Sequence, residues 1–493
     1  MFETEELTGR VEDTRLFDFG RAAFGQLEIE LDGDRFAGAV EVVIGELTSA
    51  GRIVHLPGSW ITFQLEVIRS RPGKHCYRFH IPEHISPYSG FPKCPAPADA
   101  DGEVAPFRYV EISHYFGPAT VRRKAFFGEW DDRAADFESS DDRLNRVWDF
   151  CKYSIKATSC FGKYIDGQRE RLPYEGDMYV NALGHYACDA NFQLAEATLE
   201  YFFEYGELTW PTEWLLLTPR LVRDYWLYSG DTAAVQRWLP RLPEKLLPEL
   251  ADADGLRREN SRIRDIVDWP ECERDDYEFG EVNLVPNCCY LDALRMMGEL
   301  SGDPAYIAHA AATAAAMRRR FNRTGRFVDS PGSEHTSLHS AVFALLTDLT
   351  TPEEVASHLA LVERKGMACG VYGSQFLLEC VYRYRLARHG LQLLTGSTMR
   401  SWLHMLEQGA TITMESWDVA LKRNLDFNHA WATAPANIIP HWLCGVRPTA
   451  PGFVRFEIDP QPGPLEFFRL RHPTVHGPVE LEYDSGRGSV TVP

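Results

Sequence analysis

Two stretches of the chain, "YSGDTAAV" (228–235) and "LSGDPAYI" (300–307), carry the same punctuation. In each a glycine, Gly230 or Gly302, is placed to end one helix, and an aspartate, Asp231 or Asp303, to cap the next. Pro304 suits a first helical turn, where its missing N–H leaves no bond unmade. Helical hairpins laid end to end would produce this pattern. Helical spacing begins at "ESSDDRLNRVWDFCKYSIKAT", where Ser139 to Asp142 offer N-caps and Leu144, Val147, Trp148, Cys151 and Ile155 recur on one face. It runs almost unbroken to about residue 445. Roughly ten to twelve helical segments fit this span, which suits a toroid of paired helices better than a small bundle. The period is too irregular for a solenoid.

The flanks read as β-structure. Before residue 130, "QLEIELDG" alternates up to an Asp-Gly turn, and "AVEVVIGEL", "WITFQLEVI", "FRYVEIS" and "TVRRKAFFGEW" are further strand-like runs. The segment "FPKCPAPADADGEVAP" reads as an exposed loop within this region, because strand signals resume after it. After Pro448, "GFVRFEI" and "GPVELEYDSGRGSVTVP" return to strands, the last a hairpin around Gly486 and Gly488. The expected fold class is mainly α with β appendages. A helical catalytic domain (131–447) lies between an N-terminal β-sandwich domain (1–130) and a short C-terminal β domain (448–493).

Composition narrows the partners. A formal charge of −20 repels nucleic acid and anionic membrane alike, and fits an uncharged substrate. No run approaches the ~20 apolar residues of a membrane span. The start, "MFETEELTGR", has neither the basic nor the apolar region of a signal peptide. Eleven scattered cysteines, only Cys288 and Cys289 adjacent and no CxxC, read as reduced thiols of a cytoplasmic protein.

The densest chemistry lies in "DGQRERLPYEGD" (166–177). It sets Asp166, Glu170, Glu175 and Asp177 around Arg169 and Arg171, beside the apolar "YVNALGHYACDANF". Metal-free glycoside hydrolysis needs two carboxyls, one to protonate the leaving oxygen and one to attack or activate water. Acids close in sequence cannot easily flank a sugar, so the second is sought elsewhere. Glu415 in "EQGATITMESWDVALKRNLDFNHAWA", set between Met414 and Trp417, is the candidate. On pattern alone, an Arg-paired structural network in the loop and a helix-start acid at 415 stay open.

"DGQRERLPYEGD" resembles the signature of the bacterial α-L-rhamnosidases, glycoside hydrolase family 78. The resemblance continues in "EWLLLTPRLVRDYWLYSGD", "IVDWP", "VYGSQFLLE", "MRSWLHMLEQGATITMESWD" and "DFNHAWATAPANIIPHWLCGVRPTAPGF", and "LFDFGRAAFGQLEIELDG" resembles the β domain that precedes the barrel in that family. It implies an (α/α)6 barrel, an inverting mechanism, no catalytic metal and no cofactor. Carried over by position, Glu170 matches the general acid and Glu415 the general base. Asp166 and Asp177 match acids that hold sugar hydroxyls, and Arg169 sits beside the acid. Trp214, Trp269 and His429 match residues lining the sugar site, and Asp268 precedes Trp269 in the matching pair. The implied activity is exo-acting removal of terminal α-L-rhamnose from glycosides or oligosaccharides. The partner is then a carbohydrate, with no nucleic acid and no membrane, and a homodimer stays open.

The loop is one residue shorter than the usual form, Tyr174 stands where the family usually has Trp, and Met414 replaces the usual Trp before the base. Glu175 adds a carboxylate that either touches the sugar site or faces solvent. These departures keep two other readings in play: a glycosidase for another deoxy- or α-L-sugar, and a silent carbohydrate-binding protein on the same scaffold. The seven acids of "DWPECERDDYEFGE" (268–281) lack the spacing of a calcium loop and are expected to form a solvated pocket rim.

Overall fold

Two long strands, Phe2–Asp32 and Ala105–Phe126, organise the N-terminal region of the computed structural model, which describes residues 1–32, 38–87, 92–205, 211–259 and 264–492. Residues 2–11 pair antiparallel with 117–126; after bends near Asp13 and between Asp18 and Ala23, residues 25–31 return along the other side of 119–125. Strands Ala39–Gly45, Phe63–Arg69 and Lys74–Arg78 complete the sheet. Alternation puts Leu27, Ile29, Leu31, Val40, Val42, Ile44, Val110 and Ile112 into one shared core. The expected Asp-Gly turn after Leu31 runs into residues 33–37 and lies outside the described residues. The Pro- and Ala-rich segment differs from expectation. Its described part is exposed only partly, because Cys94 and Val104 bury against Phe24, Phe126 and Phe161.

Helices of two kinds follow. In Glu175–Cys188 every residue is buried, whereas in Pro352–Lys365 only His358 and Val362 are. A helix apolar all round belongs in an inner layer and an amphipathic one in an outer layer. Thr212–Ser229 and Leu284–Ser301 are also mostly buried and pack on each other, while Pro304–Phe321 packs outside the latter. The expected caps form: Gly230 (φ +73°) and Gly302 (φ +69°) end their helices, and Asp231 and Asp303 accept from Ala234 N and Ala305 N. Asp141 caps Asp142–Thr158, whose Leu144, Val147, Trp148, Cys151 and Ile155 are buried as spaced.

The helical span is broken where chemistry is expected. Residues 162–174, 264–283 and 408–429 are largely irregular, held by bonds such as Glu415 N to Asp426 O (3.1 Å) and His429 N to Thr413 O (2.8 Å). The C-terminal strands Phe467–His472, Val479–Asp484 and Arg487–Thr491 form a sheet whose fourth strand, Asp136–Ser139, precedes the first helix. All eleven cysteines are free thiols, and no described helix is long and apolar enough to cross a membrane.

Candidate active site

The loop 166–172 is clamped from both sides. Within it, Asp166 N donates to Leu172 O and Leu172 N to Asp166 Oδ1, both at 2.9 Å. Gly167 takes φ +139°, and a Cβ there would stand 2.6 Å from Asp426 Oδ2, so this close approach requires glycine. The β region holds the back of the loop. Arg171 is fully buried, bonds Glu103 at 2.9 Å and Gln168 Oε1 at 3.0 Å, and lies over the Phe161 ring; Cys94 N donates to Arg171 O. From the other side, Gln168 N donates to Asn428 Oδ1 (2.8 Å), and Asn428 donates to Glu46 of the β region (3.2 Å). Burial pushes the Glu46 carboxyl up to about 7, against the hydrogen bonds it accepts.

This clamp presents the loop to a cavity of about 110 Å³. Asp166, Arg169, Glu170, Tyr174, Asp177, Trp214, Trp269, Glu415 and His429 all line it, so nine expected positions converge from segments far apart in sequence. Tyr174 and Trp214 pack at 5.6 Å between ring centres, and His429 lies 4.8 Å from Trp431.

Asp268 is the exception. It is fully buried off the cavity wall, and its carboxylate accepts from His339 Nε2 (2.7 Å), Gly370 N (2.7 Å), Gly373 N (3.2 Å) and Trp269 N (2.8 Å). With its oxygens so engaged it anchors the Trp269 loop from within the protein. Glu175 takes neither expected place: it is fully buried at the start of its helix and off the cavity wall. Nor are the seven acids of 268–281 simply a solvated rim. Asp268 and Glu273 are buried, Glu273 pairs with Arg400 at 2.6 Å, and Asp275 pairs with Lys365 at 2.7 Å.

Sequence reasoning missed Lys422, Asn424 and Trp431 on the cavity wall and Asp426 behind it. Trp431 stands two residues after His429 inside a quoted motif, so it was within reach. Lys422 has no spacing signal.

Arg169 dominates the electrostatics. Its Nη2 donates to Glu170 Oε1 (2.7 Å) and Glu415 Oε1 (2.9 Å), its Nη1 to Glu415 Oε2 (2.8 Å), and its Nε to Glu170 Oε1 (3.2 Å). Lys422 adds a second cation 3.0 Å from Glu415 Oε1, and Tyr174 donates its hydroxyl to Glu170 Oε2 (2.9 Å). Burial alone would raise Glu170. The Arg169 charge, with hydrogen bonds from Asp166, Arg169 and Tyr174, outweighs it and holds the carboxyl below its ordinary value. Asp166 and Asp177 go the other way, driven up first by burial and then by the Glu170 charge. Burial pushes His429 down to about 3, so its imidazole is neutral at neutral pH, and its Nε2 lies 2.7 Å from Asp177 Oδ1. The site thus moves the carboxyls of Glu170 and of Asp166 and Asp177 in opposite directions, a separation that acid–base chemistry uses.

Glu415, Asp426 and His429 present ligand atoms within 4.8 Å of one another. Arg169 and Lys422 already hold both Glu415 oxygens, and two cations at that distance repel a third. A larger cavity of about 280 Å³ lies farther along the inner helices, but its Arg220 is locked to Asp292 by bonds of 2.6 and 2.7 Å and its Glu379 accepts from Tyr179 and Gln375. The smaller cavity holds the facing carboxylates.

Residues 132–443, more than half of the chain, match the model of the bacterial α-L-rhamnosidase six-hairpin glycosidase domain, and residues 445–493 match the C-terminal domain of the same enzymes. The chain belongs to the bacterial α-L-rhamnosidase family. Its helical region is therefore the six-hairpin glycosidase domain, followed by the family's C-terminal β domain. Among solved structures, the family 78 rhamnosidase of Bacillus sp. GL1 superposes with a TM-score of 0.78 at 19% identity, over 97% of this chain and 52% of that one. The α-L-rhamnosidase of Streptomyces avermitilis, complexed with L-rhamnose, gives 0.74 at 16% identity, over 97% and 48%. A Klebsiella oxytoca rhamnosidase with rhamnose bound gives 0.66 at 17%, covering 88% of each chain. The chain spans about half the length of the first two. No curated protein sequence matches it.

Proposed function

We propose that the protein is an exo-acting, inverting α-L-rhamnosidase that removes terminal α-L-rhamnose from glycosides or oligosaccharides. Its helical region, 131–447, would close as an (α/α)6 barrel between an N-terminal β-sandwich (1–130) and a C-terminal β domain (448–493). Glu170 donates a proton to the glycosidic oxygen and Glu415 deprotonates the attacking water. Asp166, Asp177 and His429 hold the sugar hydroxyls, and Tyr174, Trp214 and Trp269 pack on its apolar face and methyl group. The eleven free thiols suit a reducing cytoplasm.

The observation that carries this reading is the single guanidinium shared by Glu170 and Glu415 in an aromatic-walled cavity. It brings two carboxyls from residues 170 and 415 onto the wall of one cavity. With both bonded to Arg169 Nη2, their nearest oxygens are no farther apart than those two bonds laid end to end. That is tighter than the ~6.5–9.5 Å gap of an inverting pair. Inversion therefore requires the sugar and water to displace the guanidinium. Losing the Arg169 contact also frees Glu170 to rise under burial and regain its proton.

The short gap favours one second reading, a retaining enzyme with Glu415 as nucleophile. Proton NMR during hydrolysis of p-nitrophenyl α-L-rhamnopyranoside separates the two. β-L-Rhamnose as the first product agrees with inversion, and α-L-rhamnose refutes it.

A further inference from the structure

On the outer face of the helical region, the hairpin Asn322–Arg323/Arg326–Phe327, residues 334–336 and the helix Pro352–Lys365 enclose a cleft of about 430 Å³. It shares no lining residue with the catalytic cavity. Its wall gathers Arg326, Arg364, Lys365, His335 and His358 against one acid, the exposed Glu334. The chain has 71 Asp and Glu for 51 Lys and Arg, so most cations can find an acid. Lys365 pairs with Asp275 (2.7 Å) and His335 with Asp329 (2.7 Å). The Arg326 and Arg364 side chains make no ion pair or hydrogen bond among the described residues.

A second observation concerns the floor. His358 is 2% exposed, and its Nδ1 bonds the Glu354 carbonyl at 2.9 Å. A carbonyl only accepts, so Nδ1 carries the proton, and burial favours the neutral ring, whose Nε2 then keeps its lone pair. That Nε2 is buried with no partner, as is Thr336 Oγ1, and both residues line the cleft. Buried polar atoms without partners are uncommon, and here they line the same space as two unengaged guanidinium groups. The cleft thus offers forked donors for an oxyanion and an acceptor for a hydroxyl.

We propose that this cleft binds a small hydroxylated oxyanion, its charge held by Arg326 and Arg364 and its hydroxyl donating to His358 Nε2. Arginine's planar fork fits carboxylate and phosphate oxygens alike. Two sources share that chemistry: a sugar phosphate and a uronic acid.

Titration calorimetry of the full chain with glucose 1-phosphate and with glucuronate, glucose serving as the uncharged control, distinguishes them. The expected result is saturable one-to-one binding of an anion and none of glucose. Removing one charge-assisted contact should weaken binding about tenfold or more, so Arg326→Ala and Arg364→Ala should each do so. Both arginines are exposed, and an unchanged melting temperature confirms the fold. Binding of glucose 1-phosphate alone assigns the site to phosphate esters, and of glucuronate alone to acidic sugars. No saturable binding of either anion, or binding that survives the Arg326→Ala/Arg364→Ala double substitution, overturns the proposal.

Discussion

Tyr174→Phe removes one oxygen from the cavity and keeps the ring that packs on Trp214. In the structure that hydroxyl donates to Glu170 Oε2 at 2.9 Å, while Arg169 holds Oε1. The bond stabilises the ionised carboxylate, and it is one reason Glu170 lies below its ordinary value. A hydrogen bond to a charged group contributes about 1.5–3 kcal/mol, and each 1.36 kcal/mol is a tenfold change in a protonation equilibrium. The substitution should therefore favour protonated Glu170 by about tenfold or more. A general acid works only while protonated, so the alkaline limb of the kcat/KM profile must move to higher pH. The assay is the pH dependence of p-nitrophenyl α-L-rhamnopyranoside hydrolysis by wild type and Tyr174→Phe. Loss of ring stacking alone would raise KM and leave the limb in place. An unmoved limb, or one shifted to lower pH, refutes the reasoning.

Other consequences follow from the same contacts. Gly167→Ala forces a β-carbon toward Asp426 at a φ that side chains rarely adopt; about 1–3 kcal/mol of strain should lower the melting temperature and kcat together. Glu354 closes the capping box of Pro352–Lys365 and pairs with Arg318 at 3.0 Å, which holds its carboxyl down at about 2. Glu354→Gln should cost about 1 kcal/mol of stability at neutral pH. Because the folded value lies below the unfolded one, this contribution is complete above about 4.5 and fades as pH falls toward 2. Denaturation of both proteins across that range checks it, and a gap that widens on acidification would contradict it.

Local features were the readable ones. Gly230, Asp231, Gly302 and Asp303 act within a turn of themselves, so their sequence signals became caps where expected. The need for a second acid pointed to Glu415 and the resemblance matched it with Glu170, but no spacing rule links positions 245 residues apart. Asp268 shows the limit. Its neighbour Trp269 faces the cavity, but the partners that turn Asp268 away, His339, Gly370 and Gly373, come from distant segments. Glu175 likewise reads as a loop acid but is the first residue of a fully buried helix, and burial there depends on what packs around it. The bend that brings residues 25–31 back beside 119–125 needs strand partners that periodicity cannot name.

The central claim is that Glu170 and Glu415 are the acid and base of one rhamnoside-cleaving site. The most direct measurement is kcat for p-nitrophenyl α-L-rhamnopyranoside with wild type, Glu170→Gln and Glu415→Gln, each confirmed folded by its melting curve. General acid or base help is worth roughly 10²–10⁴-fold, so both variants should fall by at least the lower figure. Turnover near wild type in either variant, or a folded wild type that does not cleave the rhamnoside, would contradict the account.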